Sequence, residues 1–505
     1  MTGAVTQRRW SAAHAGVALL TCLLVLFACQ RYGPAVDNDT ADFFSAADSV
    51  VAGQGLIMTT GRLFILWPPL HPLVLAGFSQ LGVEHVDASL IFNLLALCVT
   101  LWLGARLVTR LSGAPALGLL WCVVVALAPD FFWIHTRALS EAPFLAFCTA
   151  AIYGCSAFLE EGRRRHFALM VIGAGLAWVE RYAGMVILPV FCVCLLVAPG
   201  SVRLVTRVKR SALFGILAGL PMLPWVIRNL VHTHQFTGDR GSFGEFGIPA
   251  LEALGQSVRT ITAWFTLRGN VPMTILAVAA ILAAAAGLLT ATRTEQRPAK
   301  ARFLPLIGFP LIYLAFTDVI NINYEIDGLG PRQMLPALPA GWALALLAGH
   351  RAYASLKARA GAWSRAASWV LLLAIGTNIA LAGHHTLNHA RHLNHSGAGF
   401  YSTPRWQDSP VVAAVADFPF EGEVRSNDVY ALYLFTGQRS TPLPRKPFGY
   451  KALARRLAEE QRSIQVFWVQ TNERNRLPIE RMQSSVAITT LLTAEDGFVY
   501  QLDPR

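Results

Sequence analysis

The chain has 505 residues, of which 54% are hydrophobic and only 14% charged. A soluble protein of this length carries about a quarter charged residues, so the balance excludes an ordinary soluble globule and makes lipid the solvent for much of the chain. The formal net charge of +12 does not mark a nucleic-acid binder, because Arg and Lys fall in short clusters between apolar runs, as they do in loops held on the cytoplasmic side of a membrane.

The first apolar run, near 14–31, follows Arg8 and Arg9, and with no small-residue cleavage site after it, it is expected to remain as a first span. Taking each later run as a helix of about 17–25 residues gives spans near 87–107, 114–130, 139–158, 167–180, 183–199, 211–230, 271–292, 303–320, 333–350 and 366–383. From a cytoplasmic N-terminus these eleven spans put every basic cluster on the cytoplasmic side: Arg106 with Arg110, Arg163 to Arg165, Arg203 to Arg210, Arg293 to Arg302, and Arg351 to Arg365. The outer segments are then 32–86, 131–138, 181–182, 231–270, 321–332 and everything after 384.

The stretch LFILWPPLHPLVLAGFSQLG at 63–82 is apolar, but Pro68, Pro69 and Pro72 break its first half. Counting it as a span would also invert the charge pattern that follows, so it is expected as a hairpin or interfacial helix on the outer face. The short runs 167–180 and 183–199 flank Arg181 and fit half-depth or tilted helices that face protein. Beyond 384 charged residues become frequent and the apolar runs shorten. Strands are expected at 423–427, 464–469, 486–491 and 498–502, with helices near 409–418, 428–437, 448–461 and 474–483. The expected fold is a polytopic α-helical membrane domain, 1–383, followed by a small α/β domain, 384–505, outside the cytoplasm. The eight cysteines lie in apolar runs or at the end of one and read as small buried hydrophobes rather than disulfides or metal ligands.

The first outer loop, 32–86, carries Asp37, Asp39, Asp42 and Asp48. From Asp39 onward, Phe43, Ala46, Ala47 and Val50 fall at helical spacing and predict a short amphipathic helix capped by Asp39 or Thr40. A carboxylate at the start of such a helix is placed to take a proton from an acceptor hydroxyl, and Asp39 suits that role better than Asp42, a turn further in. A solvated acidic loop is the alternative. In HTRALSEAP, His135, Arg137 and Glu141 fall at the outer end of two spans. Either Arg137 and Glu141 form an ion pair four residues apart, or His135 or Arg137 lines a cavity and reads sugar or phosphate.

Arg181 either offers two-point geometry to a phosphate or pairs with Glu180. Arg228 emerges at the outer interface beside Trp225, followed by His232, His234, Asp239 and Arg240. Two histidines two apart with no third ligand are a weak metal signal, and a phosphate held by Arg228 or Arg240 fits better. Arg332 follows a Gly-Pro turn and either reaches outward to an anion or anchors its helix, with Glu325 and Asp327 near it to position it or touch a sugar. Arginines that offset phosphate, together with a carboxylate that activates a hydroxyl, point to an outward site for an anionic lipid-linked donor.

The acidic loop from Asp39 to Gly53 and Gly55, WPPLHP at Trp67 to Pro72, SEAP at Ser140 to Pro143, RYAG at Arg181 to Gly184, LPWVIRN at Leu223 to Asn229 and GPRQMLPALP around Arg332 occur in an order that resembles the glycosyltransferase-C superfamily. The resemblance is to its protein O-mannosyltransferase and aminoarabinose-transferase branch and covers most of residues 30 to 340. It implies a bacterial inner-membrane enzyme with an active site on the periplasmic face, an inverting transfer, and a polyprenyl-phosphate sugar as donor. The acceptor is then a glycolipid, a glycan or a protein. It carries the catalytic aspartate onto Asp39, with Asp37 as alternative, and the phosphate-binding basic residues onto Arg181, Arg228 and Arg332. Branch members often have adjacent Asp-Glu in this loop, whereas Asp37, Asn38 and Asp39 stand here, which leaves the base open between two residues. Some members use a divalent cation, but no ligand set for one is assembled here. Rival readings are a flippase or transporter, which would show paired repeats with polar mid-membrane residues, and a non-enzymatic assembly protein.

Overall fold

The computed structural model describes residues 2–197, 202–237, 248–265, 301–323, 330–358, 362–444, 447–470 and 486–504. Its helices are α1 (Thr2–Cys29), α2 (Asn38–Val51), α3 (Leu70–Ser79), α4 (His85–Ser112), α5 (Pro115–Ala126), α6 (Pro129–His135), α7 (Glu141–Glu161), α8 (Arg164–Glu180), α9 (Ile187–Val197), α10 (Leu204–Gly219) and α11 (Leu223–Thr233). They continue with α12 (Ala250–Phe265), α13 (Leu304–Asn323), α14 (Pro331–Met334), α15 (Leu338–Ala358), α16 (Ala362–Ser396), α17 (Pro404–Gln407), α18 (Pro410–Val415), α19 (Val429–Thr436) and α20 (Pro447–Glu460). The chain divides into two units, one of Met1–Gln30, Ile65–Leu70 and Ser89–Asn394, the other of Arg31–Phe64, His71–Ala88 and His395–Arg505.

In the first unit, helices cover every expected span except 271–292, which lies outside the described residues. Among the described residues five helices are long and apolar enough to cross a membrane, or six if α5 and α6 count as one bent span. The other positions hold shorter or more polar helices, among them α8 with 17 residues and the apolar stretch Tyr182–Val197. The expected span 114–130 is corrected: α5 stops at Ala126 and α6 leaves it at 66°. Pro129 opens α6 and forces Ala128 into an extended conformation. Residues 129–135 are therefore helical rather than loop.

The helices α7 and α8 form an antiparallel hairpin packed backbone to backbone. A Cβ on Gly154 would lie 2.5 Å from the Met170 nitrogen, and one on Gly173 would lie 2.7 Å from that of Ala151, the small-residue contact by which helices approach in lipid. The hairpin returns the chain to its starting end, so Glu141 at the start of α7 and Arg181 just beyond α8 share that end. Arg181 breaks the helix in an extended conformation before a 3-10 turn at Tyr182–Val186. Gly184 permits that turn, since a Cβ there would meet the Ala177 carbonyl at 2.5 Å.

The second unit holds α2, α3 and a five-stranded sheet of β1 (Glu423–Ser426), β2 (Thr441–Pro442), β3 (Ile464–Val469), β4 (Val486–Ala494) and β5 (Gly497–Pro504), in the order β2-β1-β3-β5-β4. Strand β1 runs parallel to β2 and β3, whereas β5 is antiparallel to β3 and β4, with Val466 opposite Tyr500. IQVFWV makes the central strand, buried at every position. Ile464, Val466 and Trp468 pack under Tyr450, Leu453 and Leu457 of α20. Phe467 and Val469 pack on the other face with Trp406, Val411 and Leu432. Two covered faces explain a strand apolar at every position but Gln465, whose Oε1 accepts from Glu421 N at 2.8 Å. The helix expected near 474–483 lies outside the described residues. The boundary expected at 384 is corrected, because α16 runs unbroken to Ser396 and the contacts divide after Asn394. The first outer loop moves too, from the membrane part into the unit that contains the sheet.

Candidate functional site

In the first unit three of the expected residues converge. Glu141 is 2% exposed, and its Oε1 accepts from Arg181 Nη1 at 2.7 Å and from Arg332 Nε. Arg181 Nη1 also donates to the Ser140 hydroxyl at 2.8 Å. Each arginine side chain keeps 21% exposure, enough for an anion to reach it. Among the described residues the other Glu141 oxygen, Oε2, is buried with no hydrogen bond. One carboxylate between two guanidiniums leaves a formal charge of +1. Bringing the three together needs the α7–α8 hairpin and the turn into α14, where Gln333 Oε1 accepts from Gly330 N at 3.1 Å and Tyr313 donates to Gln333 O at 2.9 Å. Neither local ion pair considered from the sequence for Glu141 or Arg181 accounts for these contacts.

The remaining described basic candidates of this unit contact aromatic rings. Arg137 is buried with its guanidinium 4.6 Å from the Trp133 ring, and its carbonyl accepts from Asn93. Arg228 stacks over Trp225 at 4.4 Å. Trp225 Nε1 and Asn229 Nδ2 donate to the Tyr182 hydroxyl at 3.0 and 2.8 Å, and that hydroxyl donates to Ile65 O at 3.2 Å, so α11 is tied to the RYAG turn. His135 is fully buried, with Nδ1 2.7 Å from Phe131 O in its own helix. It ends helix α6, where an outer loop was expected. Arg240 and Asp327 lie outside the described residues, as do Asp239 and Glu325. Among the described residues no group of three or more His, Cys, Asp or Glu is placed to hold a metal.

The acidic loop belongs to the second unit. The expected helix is α2, but its cap is neither Asp39 nor Thr40. Asp37 caps it, accepting from Thr40 N and Thr40 Oγ1 at 3.1 Å each, while Thr40 Oγ1 accepts from Asp37 N at 3.3 Å. Asp37 is buried. Asp42 is buried too and accepts from Thr59 N at 2.9 Å and Thr59 Oγ1 at 2.8 Å. Burial pushes its carboxyl up to about 6 against the opposing pull of the Thr59 bonds, and the charge of Asp39 adds to the rise. Asp48 is more exposed. Burial works against its ionised form, but hydrogen bonds from His85 Nε2, at 2.7 Å, and from Tyr433 prevail and hold it below its ordinary value. Asp39 stands in the first turn of α2 and is half-buried. Negative charge is favoured at that end of a helix.

The partners that hold this loop lie far from it in the chain. Within the second unit, Tyr401, Ser402, Tyr433 and Arg439 bond to residues 34–54. In the sequence they look like ordinary polar residues of a small domain, and no motif marks them.

Residues 67–227 match the family model described as Dolichyl-phosphate-mannose-protein mannosyltransferase. No curated protein sequence matches the chain. Among solved structures, ArnT from Cupriavidus metallidurans bound to undecaprenyl phosphate is similar at TM-score 0.62 and 14% identity, over 97% of this chain and 98% of that one. AglB, the archaeal oligosaccharyltransferase from Archaeoglobus fulgidus in complex with an inhibitory peptide and a dolichol-phosphate, aligns at TM-score 0.55 and 13% identity, over 96% of this chain and 74% of that one. The arabinofuranosyltransferase AftD from Mycobacteria aligns at 0.55 and 16% identity, over 99% of this chain and 40% of that one. The expected resemblance thus holds in both comparisons, by the family model over one stretch and by the glycosyltransferase-C fold over nearly the whole length. The chain is a multi-pass membrane protein of that fold with a small C-terminal sheet domain.

Proposed function

We propose that the chain is an inverting glycosyltransferase that moves a sugar from a polyprenyl-phosphate carrier to a hydroxyl of a glycolipid, glycan or protein at the periplasmic face of a bacterial inner membrane. The observation that carries this reading is the cluster of Glu141, Arg181 and Arg332. A sugar phosphodiester carries one negative charge, and the cluster offers it two guanidiniums. As the bond between the anomeric carbon and the phosphate oxygen breaks, the departing phosphate gains charge, and fixed guanidiniums stabilise that gain. The acceptor oxygen bonds to the anomeric carbon from the opposite side and gives up its proton to a carboxylate. Asp39 is assigned that role because it stands half-buried in the first turn of α2, whereas Asp37 and Asp42 are buried. The family match over 67–227, and the carriers seen bound to ArnT and AglB, support a polyprenyl-phosphate donor.

The test is carrier release by the purified full chain in nanodiscs, given a panel of polyprenyl-phosphate sugars and acceptors. Wild type should release polyprenyl phosphate from at least one donor, and Asp39→Asn should lower the rate by about 10²-fold or more. No release with any combination would sink the enzymatic reading. Full activity in Asp39→Asn would remove the assigned base.

A further inference from the structure

The first turn of α2 is fastened by residues more than 360 positions away in the chain. Val36 pairs with Phe400 in an isolated parallel bridge, Tyr401 N donates to Val36 O at 3.1 Å, Val36 N donates to Ser402 Oγ at 3.1 Å, and Ser402 Oγ donates to Pro34 O at 2.7 Å. Phe400 holds φ at 51°, a left-handed conformation costly for a bulky side chain. Its strain falls at the junction with the acidic loop.

The Tyr401 hydroxyl lies 3.0 Å from Asn38 Oδ1 and 2.8 Å from Asp428 Oδ1. Asp428 is itself fixed as the cap of α19 by accepting from Ala431 N at 3.0 Å. A phenol has one hydrogen to give and lone pairs to accept with, and an ionised carboxylate only accepts. With Asp428 ionised, the hydrogen goes to that carboxylate and the Asn38 side chain turns its amide nitrogen towards the phenol oxygen, an orientation open to any Asn amide. One hydroxyl then links the cap of α19 to the first residue of α2, which is the neighbour of Asp39.

We propose that Tyr401, anchored by Asp428, is a positioning residue that holds the first turn of α2 and so fixes the carboxylate of Asp39. This rests on the assignment of Asp39 as base. A general base works within narrow limits of distance and angle, and about 1 Å of misplacement costs about 10²-fold. Burial and the bonds from Thr59 and Arg439 hold the body of α2, so the Tyr401 and Ser402 ties bear on its first turn, where Asp39 stands.

The test uses Tyr401→Phe in the full chain, which removes the hydroxyl and keeps the ring against Trp406, 5.1 Å away between centroids. Ser402→Ala is the second variant, because it removes the hydroxyl's bonds to Val36 N and Pro34 O while leaving Tyr401 in place. Hydrogen exchange of residues 36–44 is read beside kcat and donor KM. Exchange there should rise about tenfold in either variant, and kcat should fall about tenfold with KM within about twofold, as expected when only placement is lost. Unchanged exchange overturns the proposal, as does faster exchange with unchanged kcat or a rise in KM alone. If wild type releases no carrier from any donor, the reading of Asp39 as base fails, while the exchange result still decides whether Tyr401 orders α2.

Discussion

At the scale of single residues the acidic loop separates into distinct jobs that spacing alone left merged. Asp37 and Asp39 were the two candidates for the base, and the structure gives Asp37 the cap of α2. Asn caps a helix about as well as Asp, whereas Ala does not. Asp37→Asn should therefore keep its thermal stability, and Asp37→Ala should lose about 1 kcal/mol, read from melting in detergent. Asp39→Asn should lose turnover with a smaller loss of stability than Asp37→Ala. Equal stability loss at both positions would contradict this division. Asp42 makes a pH prediction. Its carboxyl holds a proton to about pH 6 in the fold and to 3.8 ordinarily, so between these values the folded chain binds more protons than the unfolded one. Stability from this group is thus full at low pH and is lost as pH rises towards about 6, by an amount on the order of 3 kcal/mol. Asp42→Asn removes the titration and keeps an acceptor for Thr59, so its melting temperature should exceed that of wild type at neutral pH and the two should converge near pH 4.

Elements decide which charges meet. Glu141 and Arg181 were both visible in the sequence as charges that lipid makes expensive, and the short runs on either side of Arg181 were visible too. That they belong to one cluster was not, because it depends on the α7–α8 hairpin closing over Gly154 and Gly173 and on the turn carrying Arg332 being fixed by Tyr313. The local pairings first in view, four residues apart or adjacent, take no account of contacts 40 or more positions apart in the chain. Conversely, the strand at 464–469 was found to the residue, since a fully buried strand shows as a mostly apolar run of its own length, and the strand at 423–426, buried only at alternate residues, was found to within one residue. The break after Ala126 was missed because a span count ignores what one proline does to the residue before it. Gly184 gives the element-scale test. An added Cβ meets the Ala177 backbone at 2.5 Å and cannot be relieved by a rotamer change. Gly184→Ala should cost about 1–3 kcal/mol of stability and weaken binding of polyprenyl phosphate by displacing Arg181, measured by calorimetry in nanodiscs. Wild-type affinity in that variant would detach Arg181 from carrier binding.

At the scale of the whole chain, the second unit constrains topology independently of charge. Residues 31–64 and 395–505 pack into one unit, so both must lie on the same side of the membrane. The chain between them must then cross an even number of times. The eleven expected spans put ten in that interval, which satisfies the condition, and reading 63–82 as a further span would break it. The basic clusters reach the same answer from different physics, because Arg163 to Arg165 and the later clusters fall inside only with that count. An alkaline phosphatase reporter, active only outside the cytoplasm, distinguishes the alternatives when fused in turn after Gly162, between α7 and α8, and after residue 420. The first fusion should be inactive and the second active. Activity at both would leave the basic turn at 163–165 outside and undo the charge-based count. Inactivity after residue 420 would place the sheet domain, and with it the acidic loop carrying Asp39, in the cytoplasm, where a transfer at the outer face could not use that carboxylate.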